Sequence, residues 1–268
     1  MKCPAVALTI AGSDSCAGAG LQADLKAFTA CGVYGLTVAT AIVAERPGAV
    51  LSVEAVSDRS IADQLEAVLH HYPVASIKTG LLPSARSIAV VRAALQSSDA
   101  PLVVDPVAVA STGTTLASPD AREALIDWIR ERATLVTPNR AEAELFLGAP
   151  ISDLGDARDA AMALQRLHGC AVLLKGGHFD GPEAIDWLAM GPTEAVEAIR
   201  APRLPGTDIH GTGCAYSAAI AAKLALGRPL LAAVREARLY LHDVLAHPCH
   251  WLNPNVPGIK ALAPTSET

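Results

Sequence analysis

A doubly wound α/β sheet with mostly parallel strands is the fold the sequence predicts, on three observations. Short apolar runs alternate with helix-length stretches along the chain, the runs are apolar at successive positions, and hydrophobic residues make up 51% of the sequence while aromatics supply only 4%. Alanine, valine and leucine therefore build the core. Strands buried on both faces read as continuous apolar runs, and helices between them call for parallel strands joined by right-handed crossovers. At 268 residues the chain can bury one large core and shows no long linker, so a single domain spanning 1–268 is expected.

In chain order, strands are expected over residues 6–10, 36–43, 50–56, 76–78, 102–104, 135–136 and 171–174, each a short apolar run. Helices are expected over 19–31, 60–70, 84–95, 119–132, 141–147 and 156–167. Ser118-Pro119 suits an N-cap and first-turn pair, after which Leu125, Trp128 and Ile129 share one face and point to the core. A further helix over 215–226 is small and apolar throughout, with Gly227 as its stop and Pro229 just beyond. No internal repeat or low-complexity tract breaks this alternation.

Charge and cysteine usage narrow the function classes. A net charge of −6 argues against a nucleic-acid groove, which needs a basic face. No apolar run reaches the eighteen or so residues of a membrane span, and Met1-Lys2-Cys3-Pro4 lacks the layout of a signal peptide, so a cytoplasmic location is expected. The six cysteines, at 3, 16, 31, 170, 214 and 249, show no CxxC spacing and read as reduced thiols. His242, His247, Cys249 and His250 lack partners at a finger-like spacing and read as surface or packing residues.

In an open sheet of this kind, ligands gather where loops leave the carboxyl ends of the strands. Five such loops stand out: residues 12–20 after the first strand, Thr79-Gly80 after the fourth, Asp105-Pro106 after the fifth, Thr137-Pro138-Asn139 after the sixth and Gly176-Gly177-His178 after the seventh. The glycines at 18 and 20 begin too far beyond Ile10 for a dinucleotide fingerprint, and no P-loop motif occurs.

His210-Gly211-Thr212-Gly213-Cys214 immediately precedes the 215–226 helix. Glycines there let bare amides, backed by the helix dipole, close on an anion, and a thiol in the first turn is expected to ionise easily. The same motif also suits a tight turn followed by a small core residue. Asn139 and Glu142 either cap a helix and complement its dipole or organise water around Mg2+. Lys175 before Gly176-Gly177 is either a solvated surface residue or a phosphate neighbour.

Six blocks, in order, decide among these readings: ALTIAGSDSCAGAGLQADLKAF, KTGLLPS, VVDPVAVASTG, LVTPNRAEAELFLG, VLLKGGHFDG and HGTGCAYSAAIAA. Together, from about Ala7 to a helix ending near Leu245, they resemble the hydroxymethylpyrimidine/phosphomethylpyrimidine kinases of thiamine biosynthesis, within the ribokinase-like superfamily. The resemblance implies a three-layer α/β/α fold, ATP and Mg2+ as cofactors, and phosphorylation of a small pyrimidine's hydroxymethyl group and then of its monophosphate. It also implies a homodimer, the frequent state in that family.

Position by position, the resemblance implies that Gly211, Thr212 and Gly213 form the anion hole and that Cys214 is the catalytic base, where many other ribokinase-like enzymes carry Asp. Asn139, Lys175, Gly177 and His210 fall on the nucleotide side, with Glu142 and Asp105 at the metal. Gly12, Asp24, Glu45, Leu81 and Val107 fall at the pyrimidine.

Three departures bear on the acceptor. Family members usually read Ala-Gln-Asn where this chain has Ala44-Glu45-Arg46, Lys is common where Ser111 stands, and Ile209 replaces a usual Thr. An ionised Glu45 only accepts hydrogen bonds, whereas a Gln offers a donor and an acceptor to an aminopyrimidine edge. Two alternatives therefore stand beside the pyrimidine kinase: a pyridoxal or pyridoxine kinase of the same family, and a non-catalytic ligand-binding protein.

Overall fold

The computed structural model describes residues 3–46, 48–107, 117–177, 179–191, 195–204, 209–253 and 256–262. A nine-stranded sheet is built from β1 (Val6–Asp14), β2 (Tyr34–Arg46), β3 (Ala49–Ala55), β4 (Val74–Thr79), β5 (Leu102–Val104), β6 (Leu135–Val136), β7 (Ala171–Leu174), β8 (Glu183–Ala189) and β9 (Glu197–Pro202). Its order is β3-β2-β1-β4-β5-β6-β7-β8-β9. The six strands from β2 to β7 in that order are parallel, while β3 pairs antiparallel with β2, β8 with β7 and β9 with β8. A separate hairpin joins β10 (Cys249–Asn253) to β11 (Val256–Ala261).

The helices are α1 (Gly20–Ala30), α2 (Asp58–Leu69), α3 (Ala85–Ala94), α4 (Pro119–Arg132), α5 (Arg140–Leu147), α6 (Leu154–His168), α7 (Thr212–Ala225) and α8 (Leu230–Ala246). They cover both faces, which makes three layers. Along β1, Val6, Leu8 and Ile10 join the core under α2 to α6, whereas Ala7 joins the one under α1, α7 and α8. Strands β5, β6 and β7 alternate in the same way, with Val104, Val136 and Leu174 facing one core and Val103, Leu135 and Leu173 the other. This two-sided burial is why the strands read as unbroken apolar runs. Trp128 and Ile129 are buried as their stripe implied. Ser118, however, makes no cap bond, its hydroxyl donating to the Pro83 carbonyl at 3.2 Å.

Two features of the topology position the site. The chain steps outward from β1 to β2 and β3, then returns to β4 on the other side of β1, so the switch point lies between β1 and β4. Helix α7 packs across β1, β4 and β5 and is pinned by the Ser76 hydroxyl, which donates to the Ala221 carbonyl at 2.6 Å. Strand β1 also runs four residues past its expected end. A bulge between Ala11 and Gly12 re-registers it, so that Gly12, Ser13 and Asp14 pair with Ala41, Ile42 and Val43 of the long β2. Among the described residues, no helix is long and apolar enough to cross a membrane.

Candidate active site

Helix α7 begins at Thr212 with Gly211 as its N-cap, at φ +85, and no side chain caps it. The first amides of a helix have no partner inside it, so this open end presents donors backed by the helix dipole. Gly211 has no substitute here: a Cβ would stand 1.7 Å from the Gly18 carbonyl oxygen, where the loop after β1 crosses the helix end. Cys214 is the third residue of α7, and residues 210–214 all keep part of their surface open.

Two lysines flank this helix end from beneath. Lys175, which follows β7, has a largely buried side chain, and its ammonium lies 3.1 Å from where a Cβ on Gly213 would be. Asp105, which follows β5, binds it at 2.8 Å. Lys78, on β4, is fully buried with Asp24 of α1, its Nζ lying 2.9 and 2.7 Å from the two carboxylate oxygens. Burial opposes both ammonium charges, yet Asp24 holds Lys78, and Asp105 with Glu142 holds Lys175, above the usual lysine value. The solvated-surface reading of Lys175 is thereby replaced by a cation under the first turn of α7.

The easily ionised thiol expected from the helix dipole is not what the structure gives. Burial pushes Cys214 up to about 11; Lys78 pulls it down, while Asp105 and Asp24 push it further up. Desolvation of the thiolate outweighs the helix end. Asp24, expected at the acceptor, is fully buried and spends its oxygens on Lys78 and on the Thr9 hydroxyl at 2.5 Å, so it lies below the site. Asp105, expected at the metal, accepts from Lys175 and from the Thr137 hydroxyl (3.1 Å) on one oxygen and from Ser217 (3.2 Å) on the other. These bonds anchor Lys175 and α7.

Asn139 and Glu142 form a reciprocal capping box on α5: the Asn139 side chain accepts from the Glu142 amide at 2.9 Å, and Glu142 Oε2 accepts from the Asn139 amide at 2.8 Å. Burial pushes the Glu142 carboxyl up to about 7, with Asp105 adding and Lys175 opposing. Gly177 is exposed, and its carbonyl accepts from Arg203 at 2.9 Å. Gly176 is tightly held, its amide donating to Asp186 at 2.8 Å.

Residues expected at the acceptor gather on the β1 and β2 side. A Cβ on Gly12 would lie 3.2 Å from Leu81, which packs with Ala41 and Val43, and Thr40 donates to the Leu81 carbonyl at 2.5 Å. Val107 sits just beyond β5, its amide donating to the Asp105 carbonyl at 2.8 Å. Glu45, near the end of β2, lies 3.4 Å from His210 Nε2, which is also 3.4 Å from Asp14. His210, expected with the nucleotide, thus bridges two carboxylates, directly before the Gly211 cap. The hydrogen bond with Asp14 raises the imidazole above its ordinary value, and burial pushes Glu45 up.

Sequence reasoning did not single out Lys78, Asp186, Arg203 or Ser217, although Lys78 opens the KTGLLPS block. A lysine inside a strand with no other charge was the available signal, since such a charge must be paired when buried. Ser111 and His178 lie outside the described residues.

Residues 14–258 match the phosphomethylpyrimidine kinase family. The hydroxymethylpyrimidine/phosphomethylpyrimidine kinase of Rhizobium meliloti (strain 1021) is 45% identical over 243 residues, 90% of this chain and 91% of that one. The crystal structure of a phosphomethylpyrimidine kinase from Clostridium difficile 630 superposes with a TM-score of 0.76 at 37% identity, covering 89% of this chain and 98% of the other. The pyridoxal kinase from Staphylococcus aureus, in complex with AMP-PCP and pyridoxal, superposes with a TM-score of 0.86 at 29% identity, covering 99% and 95%.

Proposed function

The chain belongs to the phosphomethylpyrimidine kinase family, and from that premise we propose that it moves the γ-phosphoryl group of ATP to the hydroxymethyl oxygen of 4-amino-5-hydroxymethyl-2-methylpyrimidine, and then to the resulting monophosphate. The observation that carries the reading is the open N-terminus of α7 with the Lys175 ammonium beneath Gly213. Phosphoryl transfer asks a protein chiefly for alignment and for fixed positive charge where the migrating oxygens lie. The amides of Gly211 to Cys214 and Lys175 supply that charge.

In the first step the acceptor oxygen forms a bond to the γ-phosphorus, the bond to the bridging oxygen of ADP breaks, and the hydroxyl proton passes to Cys214 Sγ. A thiol near 11 is thiolate only in a small fraction at neutral pH, so the rate is expected to climb on the alkaline side. Lys78 favours the thiolate. Gly12, Leu81 and Val107 are assigned to the apolar faces of the acceptor, and Glu45 to its amino edge.

The residues fit a magnesium ion at Glu142. Its Oε2 is spent on the capping box, and burial leaves the carboxyl without a full counter-charge, a deficit that a divalent ion relieves. Glu142 and Asn139 would hold such an ion through its water shell, where it neutralises phosphate charge. A homodimer and a cytoplasmic setting are part of the same proposal.

Two observations favour a second reading as a pyridoxal kinase: the closer superposition on the Staphylococcus aureus enzyme, and Glu45 in place of the glutamine usual in the pyrimidine kinases. One experiment separates them: the purified chain and Glu45→Gln are each offered the pyrimidine and pyridoxal with ATP. Turnover of the pyrimidine by wild type, improved about 5- to 150-fold by Glu45→Gln, is expected, corresponding to about 1–3 kcal/mol for a mispaired buried edge. Exclusive turnover of pyridoxal overturns the pyrimidine reading, and ligand binding without ATP consumption overturns both.

A further inference from the structure

At the acceptor end three side chains of metal-ligating type come to one point, with a fourth, Glu45, beside one of them. Asp14, Cys16 and His210 each offer an atom within 4.8 Å of the others. Cys16 Sγ lies 3.3 Å from Asp14 Oδ2, and His210 Nε2 lies 3.4 Å from Asp14 Oδ2 on one side and 3.4 Å from Glu45 Oε1 on the other. In a tetrahedral zinc site, with metal bonds of about 2.0–2.1 Å to nitrogen and oxygen and about 2.3 Å to sulfur, the N···O edges come to about 3.4 Å and the S···O edge to about 3.6 Å. The two contacts of His210 therefore stand at such edge lengths and the Cys16–Asp14 contact slightly inside them, while Glu45 approaches the cluster through His210.

We propose that Asp14, Cys16, His210 and Glu45 form a site for one zinc-type divalent cation, separate from the Glu142 magnesium position. The donor set selects the ion: a thiolate and an imidazole favour borderline-soft metals, whereas Mg2+ takes oxygen and water. The ligands are also held in place. Asp14 accepts from the amides of Cys16, Gly18 and Ala19 at 2.9, 3.0 and 2.8 Å, the outer-shell bonding that orients a ligating carboxylate. Ser15 locks the two segments together, its hydroxyl donating to the Glu45 carbonyl and accepting from the Glu45 amide, both at 2.9 Å. Cys16 is exposed, which gives an ion a way in. An ion here sits beside the carboxylate assigned above to the acceptor, so metal and acceptor exclude each other.

The test uses the full chain without nucleotide or acceptor, so its result is independent of the kinase reading. Cobalt(II) is titrated in excess Mg2+, with binding followed by absorbance and stoichiometry by calorimetry. One ion per chain, a thiolate-to-cobalt charge-transfer band in the near ultraviolet and displacement by zinc are expected. Cys16→Ser should abolish the band and weaken binding by at least about 100-fold, His210→Gln should weaken binding with the melting temperature kept, and Cys214→Ala should leave both band and affinity intact. A wild type without the band, a Cys16→Ser protein that retains it, or its loss in Cys214→Ala overturns the proposal.

Discussion

Lys78→Met removes one partner of an ion pair whose side chains are both 0% exposed and whose contacts are 2.9 and 2.7 Å. Breaking such a pair strands a buried carboxylate and costs about 3–5 kcal/mol. For a chain of this size each kcal/mol moves the melting temperature by about 2–4 °C, so a fall of about 6–20 °C is expected. Adding Asp24→Asn exchanges the stranded charge for an amide with an incomplete hydrogen-bond set, a cost of about 1–3 kcal/mol, so part of the stability returns. Turnover should not return with it. Lys78 is the principal group opposing the burial that lifts Cys214 to about 11, and both variants lack it. Their alkaline limb of kcat against pH should therefore lie above that of wild type. Melting curves and rates between pH 7 and 10 check both halves. A double variant with the wild-type pH profile would refute the electrostatic role of Lys78, and a single variant melting within about 2 °C of wild type would refute the pairing.

Three further expectations follow from other parts of the molecule. Cys214→Ala should lower the first phosphorylation by about 10²- to 10⁴-fold with nucleotide affinity kept, but slow the second far less, because a phosphate monoester oxygen is largely ionised at pH 7 and needs no base; equal losses in separate single-turnover assays would argue against proton acceptance. Arg238→Met leaves Asp186, its ion-pair partner at 3.5 Å, buried without a cation, and Asp186 holds the Gly176 amide; KM for ATP should rise more than KM for the acceptor, Arg238→Lys should recover part of it, and equal rises would reduce the network to a structural one. His168 is held neutral in the fold, burial lowering its imidazole to about 4, so its stabilising contribution is complete above the unfolded value near 6.5 and is lost as pH falls toward 4; up to about 3 kcal/mol of acid sensitivity should disappear in His168→Phe, read from denaturant midpoints at pH 4.5 and 7.

The central strands were legible because their environment is uniform. With a core on each face, β1, β4, β5, β6 and β7 leave an unbroken apolar trace, and all of them were expected within a few residues. Strands β8 and β9 were not expected. They are the antiparallel end of the sheet, where Asp186, Arg200 and Glu197 interrupt the pattern, and the buried Asp186 is met by Arg238 from far along the chain. Site residues divide in the same way. Gly211 to Cys214 could be read locally, since an open helix end follows from its own sequence. The burial of Asp24, the engagement of both Asp105 oxygens and the bridging by His210 depend on partners 54, 70 and 112, and 165 positions away along the chain, and no local pattern encodes those.

Those distant partners also settle how a chain of net charge −6 can attract a triphosphate. Each buried lysine has its own carboxylate, Lys78 with Asp24 and Lys175 with Asp105, so the pairs bring no net charge to the site. What they bring is orientation. The Lys175 ammonium stands under Gly213, and at Cys214 the effect of Lys78 exceeds that of either acid. Two aligned ion pairs and one helix end together form a fixed dipole whose desolvation cost is met during folding rather than during the reaction. Such a field falls off faster with distance than that of a bare charge. The chain should therefore bind ATP with only weak dependence on ionic strength from long-range steering, and a nucleotide on-rate falling steeply between low and physiological salt would contradict this account.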